Sequence, residues 1–171
     1  MHVYCLFCET QRCRQIAAII TKDYGYECIY PQIIQRKWVR GIPTEVCHDW
    51  LPGYLFLFSE QPVQARMNIS GIIRFLGNGE LEGQDFAFAE MIYRRQGVMG
   101  TVPLLQEGDK CSIADPAWKE IRGKVVKMDS GRKRCCIEFD FDGITRTVWV
   151  GYELIRKDQE EAIPENNHHP I

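Results

Sequence analysis

The 171-residue chain predicts two architectures in series. A domain mixing strands and helices covers residues 1–97, and a small all-β barrel covers 105–157. Three observations carry this reading. Runs with strand character alternate with amphipathic helical runs in the first part, the pattern of a domain built on a sheet with helices. At Gly97 the texture changes to "GVMGTVPLL", with two glycines, a proline and no periodicity, which reads as a linker over 98–104. Beyond it "GDKCSIAD", "GKVVKMDSG", "KRCCIEFDFDG" and "TRTVWVGYELI" recur at roughly ten-residue spacing, each closed by Gly or Asp-Gly turn chemistry.

The elements follow in order. "HVYCLFC" (His2 to Cys8) is a first strand. "ETQRCRQIAAIITKDYG" is an amphipathic helix with Ile16, Ile19 and Ile20 on one face, Thr10 as N-cap and Gly25 as stop. The segment from Glu27 to Trp50 holds short extended pieces broken at Gly-Ile-Pro. "WLPGYLFLF" then combines a Pro-Gly turn with an unbroken apolar run, the signature of a strand buried on both faces. "EQPVQARMNIS" is expected to be helical after Pro62. "GIIRFLG" (Gly71 to Gly77) is a further strand, and "FAFAEMIYRRQG" a helix whose Arg94 and Arg95 suit the C-terminal end of the dipole. The acidic segment 158–171 has too little to bury and is expected to be disordered.

Composition bounds the function. With 45% hydrophobic and 26% charged residues the chain is an ordinary globular protein, long enough to build its own core. Its eight cysteines therefore need no disulfide framework, and Cys135 and Cys136 are adjacent in a strand. A reduced, cytoplasmic protein is expected, with no leader and no membrane span. Cys5 and Cys8 form a C-x-x-C, with Cys13 and Cys47-His48 beyond. No second C-x-x-C completes a zinc site, so they read as core thiols. His168-His169 is too isolated to bind metal. Phosphate-loop and dinucleotide glycine patterns are absent, and carboxylates pair only at apparent surfaces. No catalytic residues, metal or cofactor are expected. The chain reads as a binding protein.

One electrostatic signal stands out. Residues 104–157 carry 11 basic against 9 acidic side chains, with the excess gathered at Arg132, Lys133 and Arg134 after the turn "DSG". Lys124 and Lys127 precede it on a strand. In "RTVWVGY" the strand period turns Val148 and Val150 inward and Trp149 outward. An exposed indole beside cations has the ingredients for RNA binding, by stacking and phosphate contact. A solvated turn, with Trp149 covering a barrel edge, is the alternative.

"LPGYLFLF", followed by "GIIRFLG", resembles the N-terminal (NGN) domain of NusG-type transcription factors. "EGDKCSIADPAWKEIRGKVVKMD" resembles a KOW motif, matched at Gly108, Asp109, Cys111, Ile113, Gly123 and Val125. The resemblance implies an α+β NGN domain, an antiparallel sheet flanked by helices, followed by an SH3-like five-stranded KOW barrel. It implies a monomeric elongation and antitermination factor whose NGN domain docks on the clamp helices of RNA polymerase. Trp50, Tyr54, Phe56 and Phe75 would line or support that surface. Nascent RNA, including a hairpin, and non-template DNA are the further partners implied. Where general NusG proteins carry an aromatic before the turn glycine of the barrel, this chain has Asp142, with Phe141 one residue away. That departure points to a specialised paralogue of the RfaH or LoaP type, with the cysteine-rich sequence and the "ELEGQDFAF" segment leaning toward LoaP. The housekeeping factor and a translation-linked KOW protein are the alternatives.

Overall fold

The computed structural model describes residues 1–63 and 67–155. The segment 158–171 and the His168-His169 pair lie outside them. The chain is a mixed α+β protein with several sheets and few helices. Strands β1 (His2–Cys8), β2 (Glu27–Ile29), β3 (Gln32–Val39), β4 (Ile42–Asp49), β5 (Tyr54–Ser59) and β6 (Ile72–Glu80) come first. Helix α1 (Cys13–Ile19) lies between the first two, and helix α2 (Gly83–Arg94) follows the last. Strands β7 (Val98–Met99), β8 (Val102–Glu107) and β9 (Lys110–Ile113), helix α3 (Pro116–Glu120), and strands β10 (Lys124–Asp129), β11 (Arg134–Phe141) and β12 (Ile144–Ile155) complete it. Two compact units result, Met1–Gln32 with Asp49–Val98, and Ile33–His48 with Met99–Ile171.

The first unit is built on a four-stranded sheet in the order β2-β5-β1-β6, antiparallel at every pairing. Strand-helix alternation alone favours parallel crossovers, but here both central strands run against their neighbours. Because side chains alternate across a strand, the apolar run of β5 serves two layers. Leu55 and Leu57 join Tyr4, Leu6 and Cys8 beneath Cys13, Ile16 and Ile20. Tyr54, Phe56 and Phe58 point the other way, where Phe88 and Tyr93 of α2 meet Phe56 and Phe58 at ring-centroid separations of 5.9 and 4.6 Å. Each such fully buried side chain contributes about 1.5–3 kcal/mol through desolvation.

The Pro-Gly of "LPGY" sets up this strand. Tyr54 N–H donates to the Leu51 carbonyl (3.0 Å), closing a turn with Pro52 and Gly53 at its centre, and Gly53 sits at φ +94°. A side chain there would also meet the Phe7 ring at 3.0 Å and the Cys8 carbonyl at 3.2 Å, so only glycine fits.

Several local expectations change. Thr10 does not cap the first helix; it lies in a 3₁₀ turn, Thr10–Arg12, that runs into α1. A π-helical stretch, Ile20–Tyr24, then ends at left-handed Gly25. The helix expected after Pro62 is absent from residues 61–63 and 67–70, while 64–66 lie outside the described residues. Instead Val63 is buried, with its N–H on the Tyr4 hydroxyl at 3.2 Å, and Ile69 is buried as well. Anchoring both apolar ends of the segment in the core leaves its described parts without a helix's own hydrogen-bond ladder. The strand expected at Gly71 to Gly77 extends to Glu80. The stretch 98–104 carries β7 and the first residues of β8.

The second unit contains a five-stranded sheet in the order β10-β11-β12-β8-β9, antiparallel except where β12 runs parallel to β8. Its edge strands β9 and β10 contact each other, so the sheet curls toward closure. The β11–β12 connection is the two-residue turn Asp142-Gly143, with Asp142 left-handed at φ +55°. Where only strands and turns were expected, "DPAWKE" forms α3. Asp115 caps it, accepting from Ala117 N–H at 3.0 Å, and Pro116 occupies the first turn. This helix inserts Trp118, which is fully buried and meets Phe139 edge-on at 5.8 Å.

Gly123 is the residue that lets Trp118 in. A Cβ at this position would fall 2.8 Å from an indole carbon and 3.2 Å from the Trp118 carbonyl. Gly123→Ala is expected to destabilise the second unit by about 1–3 kcal/mol through overpacking, because a fully buried indole has nowhere to retreat. Chemical denaturation of the variant checks this. An unchanged midpoint would refute the packing account.

Candidate nucleic-acid interface

The β10–β11 connection is built around one carboxylate. Asp129 accepts from Arg132 N–H at 3.2 Å and from Arg134 Nε at 3.0 Å, which pins the short 3₁₀ turn Ser130–Arg132. The Arg134 hydrogen bond, helped by the Arg132 N–H, holds the Asp129 carboxyl below its ordinary pKa. Lys133 follows in a left-handed conformation (φ +47°), turning the chain into β11. Arg132 and Lys133 are exposed.

Arg134 is engaged differently. Its guanidinium lies 4.7 Å from the centroid of Trp149 while its Nε serves Asp129. Val148 and Val150 are buried and Trp149 is only half-buried, as the strand period requires. The outward indole therefore carries Arg134 on one face. A base can stack on that face only by taking the guanidinium's place.

Arg132, Lys133, Arg134 and Trp149 share one cavity of about 560 Å³. Lys124 and Lys127 do not line it. Lys124 pairs across the sheet with Glu138 and borders a separate small depression with Arg122 and Asp140. Lys127 stands on β10, exposed, opposite Cys136. The reason is topological: β11 lies between β10 and β12, so only the turn at the strand ends reaches Trp149. The cavity adds residues that sequence reasoning passed over, Arg36, Lys37 and Glu45 of the β3–β4 hairpin. A signal for them existed in "QRKWVRG", where cations flank a tryptophan in a strand-turn-strand. Arg40 occupies the left-handed turn position there (φ +51°), and Trp38 is 70% exposed.

The four aromatics assigned to polymerase docking do not form one patch. Phe56 is completely buried, and Trp50 and Tyr54 are less than a tenth exposed. Trp50 packs on Phe88 at 5.3 Å and Tyr54 on Phe7 at 5.1 Å, in the layer between the sheet and α2. Phe75 lies on the other side of the sheet, half-buried against Tyr4 and the α1 cluster. As placed here, the first three support a surface rather than present one.

The thiols of the first unit are core. Cys47, on β4 in the second unit, is exposed because it falls on the open face of that strand, so the core reading does not extend to it. Cys5 and Cys8, three apart on β1, fall on opposite faces, which separates the C-x-x-C. Cys8 is near Cys13 and Cys28, and burial pushes the Cys8 and Cys28 thiols up to about 12, with neighbouring thiols adding to the rise. Groups so protonated are poor nucleophiles. Among the described residues no three His, Cys, Asp or Glu side chains gather closely enough to hold a metal ion. No described helix is long and apolar enough to cross a membrane.

Comparison of the chain with models of known protein families and with curated proteins found no match to either.

Proposed function

We propose that this protein is a NusG-type transcription antitermination factor, a specialised paralogue of the RfaH or LoaP kind. The first unit acts as an NGN domain on the clamp helices of RNA polymerase. The second acts as a KOW domain that contacts nascent RNA. The observation that carries this reading is the order of the two architectures around the quoted motifs. "LPGYLFLF" is a central strand of an antiparallel sheet with a helical layer on each face, "GIIRFLG" pairs beside β1, and a curled five-stranded sheet follows with "GDKCSI" on its edge strand. The turn at Asp142-Gly143 supports the specialised form over the housekeeping one. Phe141, the aromatic nearest that turn, is fully buried, and the turn offers a carboxylate where an apolar anchor would be needed.

The test is in vitro transcription through an intrinsic terminator on a template carrying the protein's own upstream operon sequence. Added protein should raise read-through and shorten pauses on that template and not on one lacking the upstream sequence. Equal termination with and without the protein on both templates, when it is shown to be folded, would remove the antitermination reading. Equal read-through on both would favour a general factor.

A further inference from the structure

The cavity beside Trp149 has two cationic walls. One is the barrel turn, with Arg132 and Lys133. The other is the β3–β4 hairpin, with Arg36 and Lys37. Carboxylates offset only part of this charge. Glu45 pairs with Arg36 at 3.6 Å and Glu153 also lines the space, while Arg134 is committed to Asp129. Among the described residues, Lys37, Arg132 and Lys133 have no carboxylate in salt-bridge range. Like charges converging on one space repel each other, and a polyanion running between them relieves that repulsion. A single turn touches one short run of backbone. Two facing walls can hold phosphodiesters from both sides, with the hydroxyls of Thr101 and Ser130 at the lining as hydrogen-bond partners.

We infer that the β3–β4 hairpin is the second half of the RNA site: Lys37, and Arg36 once released from Glu45, contact the RNA backbone opposite the barrel turn. This rests on the RNA reading proposed above and extends it to residues outside the barrel. The Arg36–Glu45 pair is the adjustable element. It holds one cation out of use at modest cost, because the pair is exposed and therefore weak.

The experiment measures binding of a fluorescein-labelled, base-paired RNA hairpin to the full chain by anisotropy over a range of salt, with a DNA hairpin of the same sequence and a polyglutamate peptide as competitors. Removing one phosphate contact lowers affinity roughly five- to eightfold at about 0.1 M salt and flattens the log–log salt slope by about 0.7–0.9. Lys37→Gln should do this. Glu45→Gln should do the reverse, tightening binding severalfold and steepening the slope, a gain that misfolding cannot imitate.

If both variants bind as the parent does while Arg132→Gln/Lys133→Gln loses affinity, the hairpin is not part of the site and the barrel reading survives alone. If the barrel-turn variant also binds unchanged, the RNA reading itself fails. Stronger competition by the DNA hairpin than by unlabelled RNA overturns the assignment to RNA. Displacement by polyglutamate alone overturns it in favour of an acidic protein partner.

Discussion

Phe56→Ala should lower the stability of the first unit by about 3–5 kcal/mol, the cost of an aromatic-to-alanine cavity in a core that cannot collapse around it. Phe56 is wholly buried on a central strand, flanked by β2 and β1 and roofed by Phe88 of α2. Urea titration followed by circular dichroism measures the loss. On the proposed function, polymerase association should disappear with folding, and Phe56→Leu, which keeps most of the volume, should restore both. A Phe56→Ala protein that remains as stable as the parent would contradict the packing described. One that stays folded and fails only to bind polymerase would return Phe56 to the contact surface.

The second large effect concerns the proposed binding of RNA. Replacing Arg132, Lys133 and Arg134 together by glutamine should weaken hairpin RNA binding roughly a hundredfold or more at about 0.1 M salt and flatten the salt slope by about two to three units. Arg134 contributes in two ways, since its removal also frees Asp129 and uncovers Trp149. Arg132→Gln/Lys133→Gln removes only the two turn cations that have no carboxylate partner among the described residues and leaves Arg134 on Asp129 and Trp149, and should flatten the slope by about 1.4–1.8 units. Trp149→Ala should behave differently, costing about 1–3 kcal/mol with little change in slope if bases stack there. Affinity measured at several salt concentrations separates the cases. A triple variant that binds like the parent at every salt would make the turn a solvated surface.

Much of the fold could be read from local chemistry. The β1 boundaries, the Pro-Gly turn before β5, the left-handed stop at Gly25 and the basic turn before β11 are set by residues adjacent in the chain. Side-chain alternation was equally legible, which is why Trp149 could be placed outward between two buried valines. These features depend on dihedral preferences and on period, and neither needs knowledge of the partner strand.

What the sequence could not supply was the identity of the neighbours across space. An apolar run declares that β5 is buried, but not that its odd and even residues feed two separate layers. Phe56 therefore reads as candidate surface until α2 is seen to cover it, and Tyr54 until Phe7 of β1 is seen packed against it. Phe75 looked like their companion until the sheet was seen to stand between. The five cations near the barrel turn looked like one cluster; strand order places β11 between β10 and Trp149, removes Lys124 and Lys127, and leaves the cavity to the turn and to a hairpin nearly a hundred residues earlier. Dihedral preference and period are local and written in the chain. Which faces meet is decided by long-range burial, where many weak contacts add up, and only the tertiary structure records that sum.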